Sequence, residues 1–150
     1  MMNLLGSVNN DKIEADVRDN KVKEGFLIKR SRHLKEWKER WMVLTKTHLY
    51  SFSGKGQYKN PTEIIPLHEV ETIKSYYKDQ YNKPFIFRVE SPDVNLHMSA
   101  KNNDEKWAWM TAVEKMIERI IHPDNKADAY NLIRETLKMS TAVRMTLQKK

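Results

Sequence analysis

The sequence predicts a mainly-β domain, an antiparallel sandwich or barrel of about seven strands followed by helices. Three observations lead there. Between Gly25 and Ala100, short runs of aromatic and aliphatic residues recur, each cut by turn residues such as Gly, Pro, Asn and Asp. After Ala100 the apolar residues recur three and four apart, the period of a helix. The length, 150 residues with no cysteine, allows one domain that buries its core without disulfide or thiolate-metal staples.

Residues 1–22 open with a brief apolar patch and then turn polar and charged, which predicts a flexible N-terminal extension. The domain proper is expected over residues 23–121. Its strands are "GFLIK", "WKERWMVLT", "HLYSF", "EIIPL", "VETIKSYY", "PFIFRVES" and "VNLHMSA". The segments "RSRHLKE" and "SGKGQYKNPT" between them read as loops. In "NNDEKWAWMTAVEKMIERII", Asn and Asp offer caps. Trp109, Ala112, Val113, Met116, Ile117 and Ile120 then share one helical face. Pro123 stops that helix, and residues 122–150 form a C-terminal extension. Within it a second helix carries Ala129, Leu132, Ile133, Leu137 and Val143 as a looser stripe.

The net charge of +7 is unevenly placed. From Glu24 to Thr62 nine cations face three acids, whereas residues 63–100 hold four basic and six acidic side chains. A field concentrated in this way favours an anionic partner. Neither a signal peptide nor a spanning segment is visible, and there is no Met-Gly start or cysteine to carry an acyl chain. With no cysteine usage pointing to an oxidising compartment, the expectation is a cytoplasmic protein whose membrane contact is peripheral.

Alternation along the strands gives this charge a geometry. In "WKERWMVL", Lys38, Arg40, Met42 and Leu44 share one face, while Trp37, Glu39, Trp41 and Val43 share the other. If Met42 and Leu44 point into the core, Lys38 and Arg40 point the same way, and in "GFLIK" so do Leu27 and Lys29. Unpaired charges are too costly to leave dry, so these cations require an open mouth. The result is a cup, whose rim loop adds Arg30, Arg32 and Lys35 and holds Leu34 as an apolar side chain among charges. Clustered phosphates suit such a cup: Arg offers a forked donor set and Lys a point charge.

Five motifs in order carry a resemblance across residues 23–121. They are Gly25-x-Leu27-x-Lys29, Trp37-Lys38-x-Arg40-Trp41-x-x-Leu44, Leu49-Tyr50-x-Phe52, "IIPL" from Ile64 to Leu67, and Trp109-Met110-x-Ala112-Val113. Together the chain resembles the pleckstrin homology family. The resemblance implies a seven-stranded, bent antiparallel barrel capped by a C-terminal helix. It also implies a phosphoinositide headgroup held by Lys29, Lys38 and Arg40. Two departures stand out. Where strong binders often have a third-strand tyrosine this chain has Ser51, with Tyr50 on the opposite face. Where a basic residue often precedes the "IIPL" strand it has Thr62, with Lys55 and Lys59 in the same loop as substitutes.

The expected function is a non-enzymatic module that binds phosphoinositide or acidic-lipid headgroups and brings its protein to a membrane surface. The expected contacts are Lys29, Lys38, Arg40, Arg30, Arg32, Lys35, Lys55 and Lys59, with Leu34 as the candidate for insertion. The alternative is a signalling adaptor that binds a protein partner through the barrel and the C-terminal helix. No cofactor or metal is expected, because the five histidines lack ligand spacing and the four glycines form no phosphate loop. Nucleic acid is not an expected partner, since the aromatics are better used in the core than as a stacking platform. The tripeptide His122-Pro123-Asp124, a co-chaperone motif elsewhere, lacks its upstream helix and here reads as a helix stop and a cap.

Overall fold

The structure, a computed structural model, describes residues 9–30, 35–76 and 82–122. Helix α1 (Asn10–Asn20) comes first, then strands β1 (Lys21–Arg30), β2 (Trp37–Thr45), β3 (His48–Phe52) and β4 (Glu63–Pro66). A single 3-10 turn at Leu67–Glu69 leads into β5 (Thr72–Ser75), β6 (Ile86–Glu90), β7 (Asn95–Ser99) and helix α2 (Asn103–Ile121). The strands form one antiparallel sheet in the order β4-β3-β2-β1-β7-β6-β5.

The sheet bends at β1. This ten-residue strand pairs with β2 from Lys21 to Arg30, but with β7 only at Ile28 and Lys29. One end of β1 therefore hinges the two halves, and the hollow between them takes the core. Residues directly opposite in an antiparallel pair share a face. The pairs Gly25↔Met42, Leu44↔Leu49 and Phe87↔Met98 accordingly point inward. Leu27, Met42, Leu44, Leu49, Ile65, Phe87, Val89, Leu96 and Met98 are buried there, closed off by Trp109, Met110 and Val113 of α2. Asn102 caps that helix, its side chain accepting from the Glu105 amide at 2.8 Å. Gly25 lies against that helix: a Cβ there would stand 3.7 Å from the Trp109 ring, an ordinary packing contact.

The opposite face of β3 and of the second half of β2 is also buried. Trp41, Val43, Tyr50 and Phe52 pack with Ile13 and Val17 of α1 into a second cluster. Where the sequence predicts a flexible tail, residues 10–20 instead form a docked helix. Asn9 caps it by accepting from the Lys12 amide at 3.2 Å, and Ile13, Asp16 and Val17 are its buried face. Asp16 accepts from the Tyr50 hydroxyl at 2.7 Å, from Thr45 Oγ1 at 2.8 Å and from Asn20 Nδ2 at 2.9 Å, so its buried oxygens are satisfied. Burial first, and the Asp16 charge second, push the Tyr50 phenol far up, which keeps it a donor.

The expected second helix within residues 122–150 lies outside the described residues, His122 apart. Among the described residues no helix is long and apolar enough to cross a membrane.

Candidate functional site: a cationic mouth with an internal acid

The β1–β2 register sets Lys29 opposite Lys38 and Leu27 opposite Arg40. All four belong to the inward face, as alternation predicts, and the three cations lie toward the end of the hairpin. Like charges directly opposite on a sheet repel, and an acid lies near each lysine. The Lys38 ammonium stands 3.6 Å from Glu36 in the exposed mouth. The Lys29 ammonium stands 3.8 Å from the Glu63 carboxylate, and both residues are buried, at 5% and 8% exposure.

Glu63 begins β4, which is separated from β1 by β2 and β3. A direct contact between them therefore reaches over two intervening strands, across the hollow of the bend. Next to it, Ser51 pairs in register with both Glu63 and Met42. Its hydroxyl lies 2.7 Å from that of Thr62, which also donates to the Ser51 carbonyl at 3.1 Å. The floor of the cup is thus a buried ion pair beside two hydroxyls. Arg40 occupies the level between floor and mouth. Its Nη1 donates to the Glu39 carbonyl at 3.1 Å, and its Nε is buried with no hydrogen-bond partner among the described residues.

The remaining expected contacts divide. Arg30 pairs in register with Trp37 on the face opposite Lys29. Burial foremost, then Arg88 and Arg30, hold the His97 imidazole below its usual pKa, which places Arg30 near the outer side of β7. Lys55 also lies outside: its ammonium sits 5.6 Å from the centre of the Trp41 ring, in the cluster that α1 covers. These two therefore face away from the inner side of the cup, which follows from strand or loop orientation that charge counting ignores. Lys35 is exposed at the rim in the left-handed region, with φ of 56°, and Lys59 is exposed in the β3–β4 loop. Arg32 and Leu34 lie outside the described residues.

Glu63, Ser51 and Thr62 are the site residues that the sequence alone does not assign. Glu63 is hidden because Ile64 and Ile65 follow it, so alternation cannot say which face is inward. The structure puts Ile65 in the inner core and Ile64 against the outer cluster. Glu24, by contrast, serves the outer face, accepting from Trp41 Nε1 at 2.9 Å and from the Tyr58 hydroxyl at 2.7 Å, with Lys21 as its ion-pair partner. Among the described residues no group of His, Asp or Glu is arranged to hold a metal ion.

Comparison with known proteins agrees with this architecture. The chain is 28% identical over 102 residues to the pleckstrin homology domain-containing protein 1 of Arabidopsis thaliana, covering 65% of this chain and 70% of that one. It is 30% identical over 96 residues to switch-associated protein 70 of Bos taurus, but spans only 16% of that protein. Among solved structures, the C-terminal PH domain of pleckstrin in complex with D-myo-Ins(1,2,3,5,6)P5 superposes with a TM-score of 0.55 at 23% identity, over 65% of this chain and 95% of that one. The model of the PH domain family matches residues 21–118, from the first residue of β1 to the last turns of α2, and the chain belongs to that family.

Proposed function

We propose that this domain binds phosphorylated inositol headgroups at the mouth formed by Lys38 and Arg40, with Lys29 behind them, and thereby brings its protein to an acidic membrane surface. PH domains are non-catalytic modules, so the action proposed is recruitment. The observation that carries the reading is the convergence of three cations from two adjacent strands onto one inward face, with Lys38 exposed and the Arg40 guanidinium partly unsatisfied. A guanidinium of that kind is suited to a phosphate oxygen, which would give Arg40 a charge-assisted partner in a partly dehydrated site. The solved relative bound to an inositol phosphate supports the ligand class. Lys35 and Lys59 add long-range attraction at the rim, about 1 kcal/mol per cation near an anionic surface and weaker in salt.

A protein partner is the second reading. It is favoured by the groove of about 520 Å³ between β1 and the outward side of α2, where Val22 and Trp107 are 41% and 40% exposed. Sedimentation with vesicles containing phosphoinositides separates the two. The double reversal Lys38→Glu/Arg40→Glu abolishes sedimentation at unchanged thermal stability if headgroup binding is the function. Sedimentation that survives the reversal contradicts the proposal.

A further inference from the structure

The Lys29–Glu63 pair puts a negative charge where a phosphate-binding cup would be expected to have none. The carboxylate lies across the hollow from β1, buried, 3.8 Å from the deepest cation. Pulling apart a buried ion pair leaves an uncompensated charge, so Glu63 is a held counterion and not a side chain that yields readily. A phosphate approaching Lys29 would meet a like charge a few ångströms away, in surroundings where such repulsion is much stronger than in water. The same floor carries the Ser51 and Thr62 hydroxyls, 2.7 Å apart; Thr62 donates to the Ser51 carbonyl and Ser51 to Thr62, which leaves their oxygens to accept from a ligand hydroxyl. Its chemistry therefore fits a neutral hydroxyl and opposes a second anion.

We propose that Glu63 is the specificity-determining residue of this site. It engages the Lys29 ammonium so that the floor takes a ring hydroxyl and phosphate is confined to Lys38 and Arg40 at the mouth. The cup is thereby selective for sparsely phosphorylated inositol headgroups over those that would place a further phosphate on the floor. This inference rests on the headgroup reading above, and it changes the role of Lys29 from phosphate contact to the partner of an internal acid.

The test is calorimetric titration of the whole chain with soluble inositol mono- and trisphosphates, in parallel with sedimentation on vesicles carrying the matching lipids. Glu63→Gln keeps the shape and removes the charge. Its affinity for the trisphosphate is expected to rise about tenfold, with the monophosphate changed less than about twofold. Equal gains for both ligands, or no gain, overturn the assignment. Because Glu63→Gln leaves Lys29 buried without its acid and could unfold, Lys29→Gln/Glu63→Gln is measured as well.

The neutral pair is expected to bind both ligands within about twofold of the unmodified chain, because in that chain Lys29 is not spent on phosphate. A loss near tenfold in the double variant shows that Lys29 touches phosphate and overturns the proposal. A trisphosphate gain on soluble ligands alone supports it with free inositol phosphate as the source; the same gain on vesicles supports it with lipid. If neither the unmodified chain nor any variant binds in either arm, the headgroup reading has failed and this inference falls with it. Binding by the unmodified chain without a change of preference in Glu63→Gln removes only the inference.

Discussion

The Tyr50 hydroxyl donates to Asp16 Oδ2 at 2.7 Å, joining a strand at the middle of the first half-sheet to a helix that precedes the family-matched residues. That bond, with the Thr45 hydroxyl on the same oxygen, makes α1 a covering layer of the domain. Asp16→Ala leaves two buried hydroxyls without their charged acceptor and is expected to destabilise the domain by about 3 kcal/mol in urea unfolding. Removing residues 1–20 is expected to do more, exposing Trp41, Val43, Tyr50 and Phe52 and raising binding of a hydrophobic dye. If Asp16→Ala moves stability by less than about 0.5 kcal/mol, the helix is not docked in solution as described.

The same cluster carries a pH dependence. His48 is buried beside Tyr50 and Asp16, and burial foremost lowers its pKa to about 4, with Asp16 pulling it up and His68 pushing it down. An unfolded His titrates near 6.5. Between these values the unfolded chain binds more protons than the folded one, so stability falls as pH drops from about 6.5 toward 4 and this contribution levels off below. The size is about 3 kcal/mol. Urea midpoints measured across that window are expected to fall less steeply for His48→Gln than for the unmodified chain, and parallel slopes would show that His48 is not the titrating group.

Two loop and strand cations that charge counting treats alike are expected to behave differently. Lys55 lies over Trp41 on the outer face, whereas Lys38 stands in the mouth. Lys55→Ala is expected to leave vesicle binding within about twofold, and Lys38→Ala to weaken it about fivefold, the worth of one cation near an acidic surface. Equal losses from the two substitutions contradict the face assignment.

How much of this was legible in the sequence depends on parity and periodicity. In β2 the alternation of charged and apolar residues was enough to put Lys38 and Arg40 on the side of Met42 and Leu44, and the registers agree. The stripe on α2 was equally plain: Trp109 and Val113 are in the core, and Ala112, Met116, Ile117 and Ile120 pack against it. α1 was not legible, because a helix with only Ile13 and Val17 as large buried apolar residues gives a faint period, and its third buried position is an aspartate. The covering helix also explains why β3 and β4 carry apolar residues on both faces, which is what concealed the inward direction of Glu63. Long-range partners such as Lys29 and Glu63 meet only when the sheet bends, and no spacing along the chain announces that.

The most direct measurement of the central claim is a nuclear magnetic resonance titration of the whole chain with a soluble inositol phosphate, following backbone amides and the Arg40 guanidinium. The account predicts that the largest shifts fall on residues 29, 38 and 40 and on the Ser51–Glu63 wall, with Arg40 Nε moving as it gains an acceptor. Shifts centred on the outer cluster of Trp41 and Lys55, or on the groove at Val22 and Trp107, would contradict it.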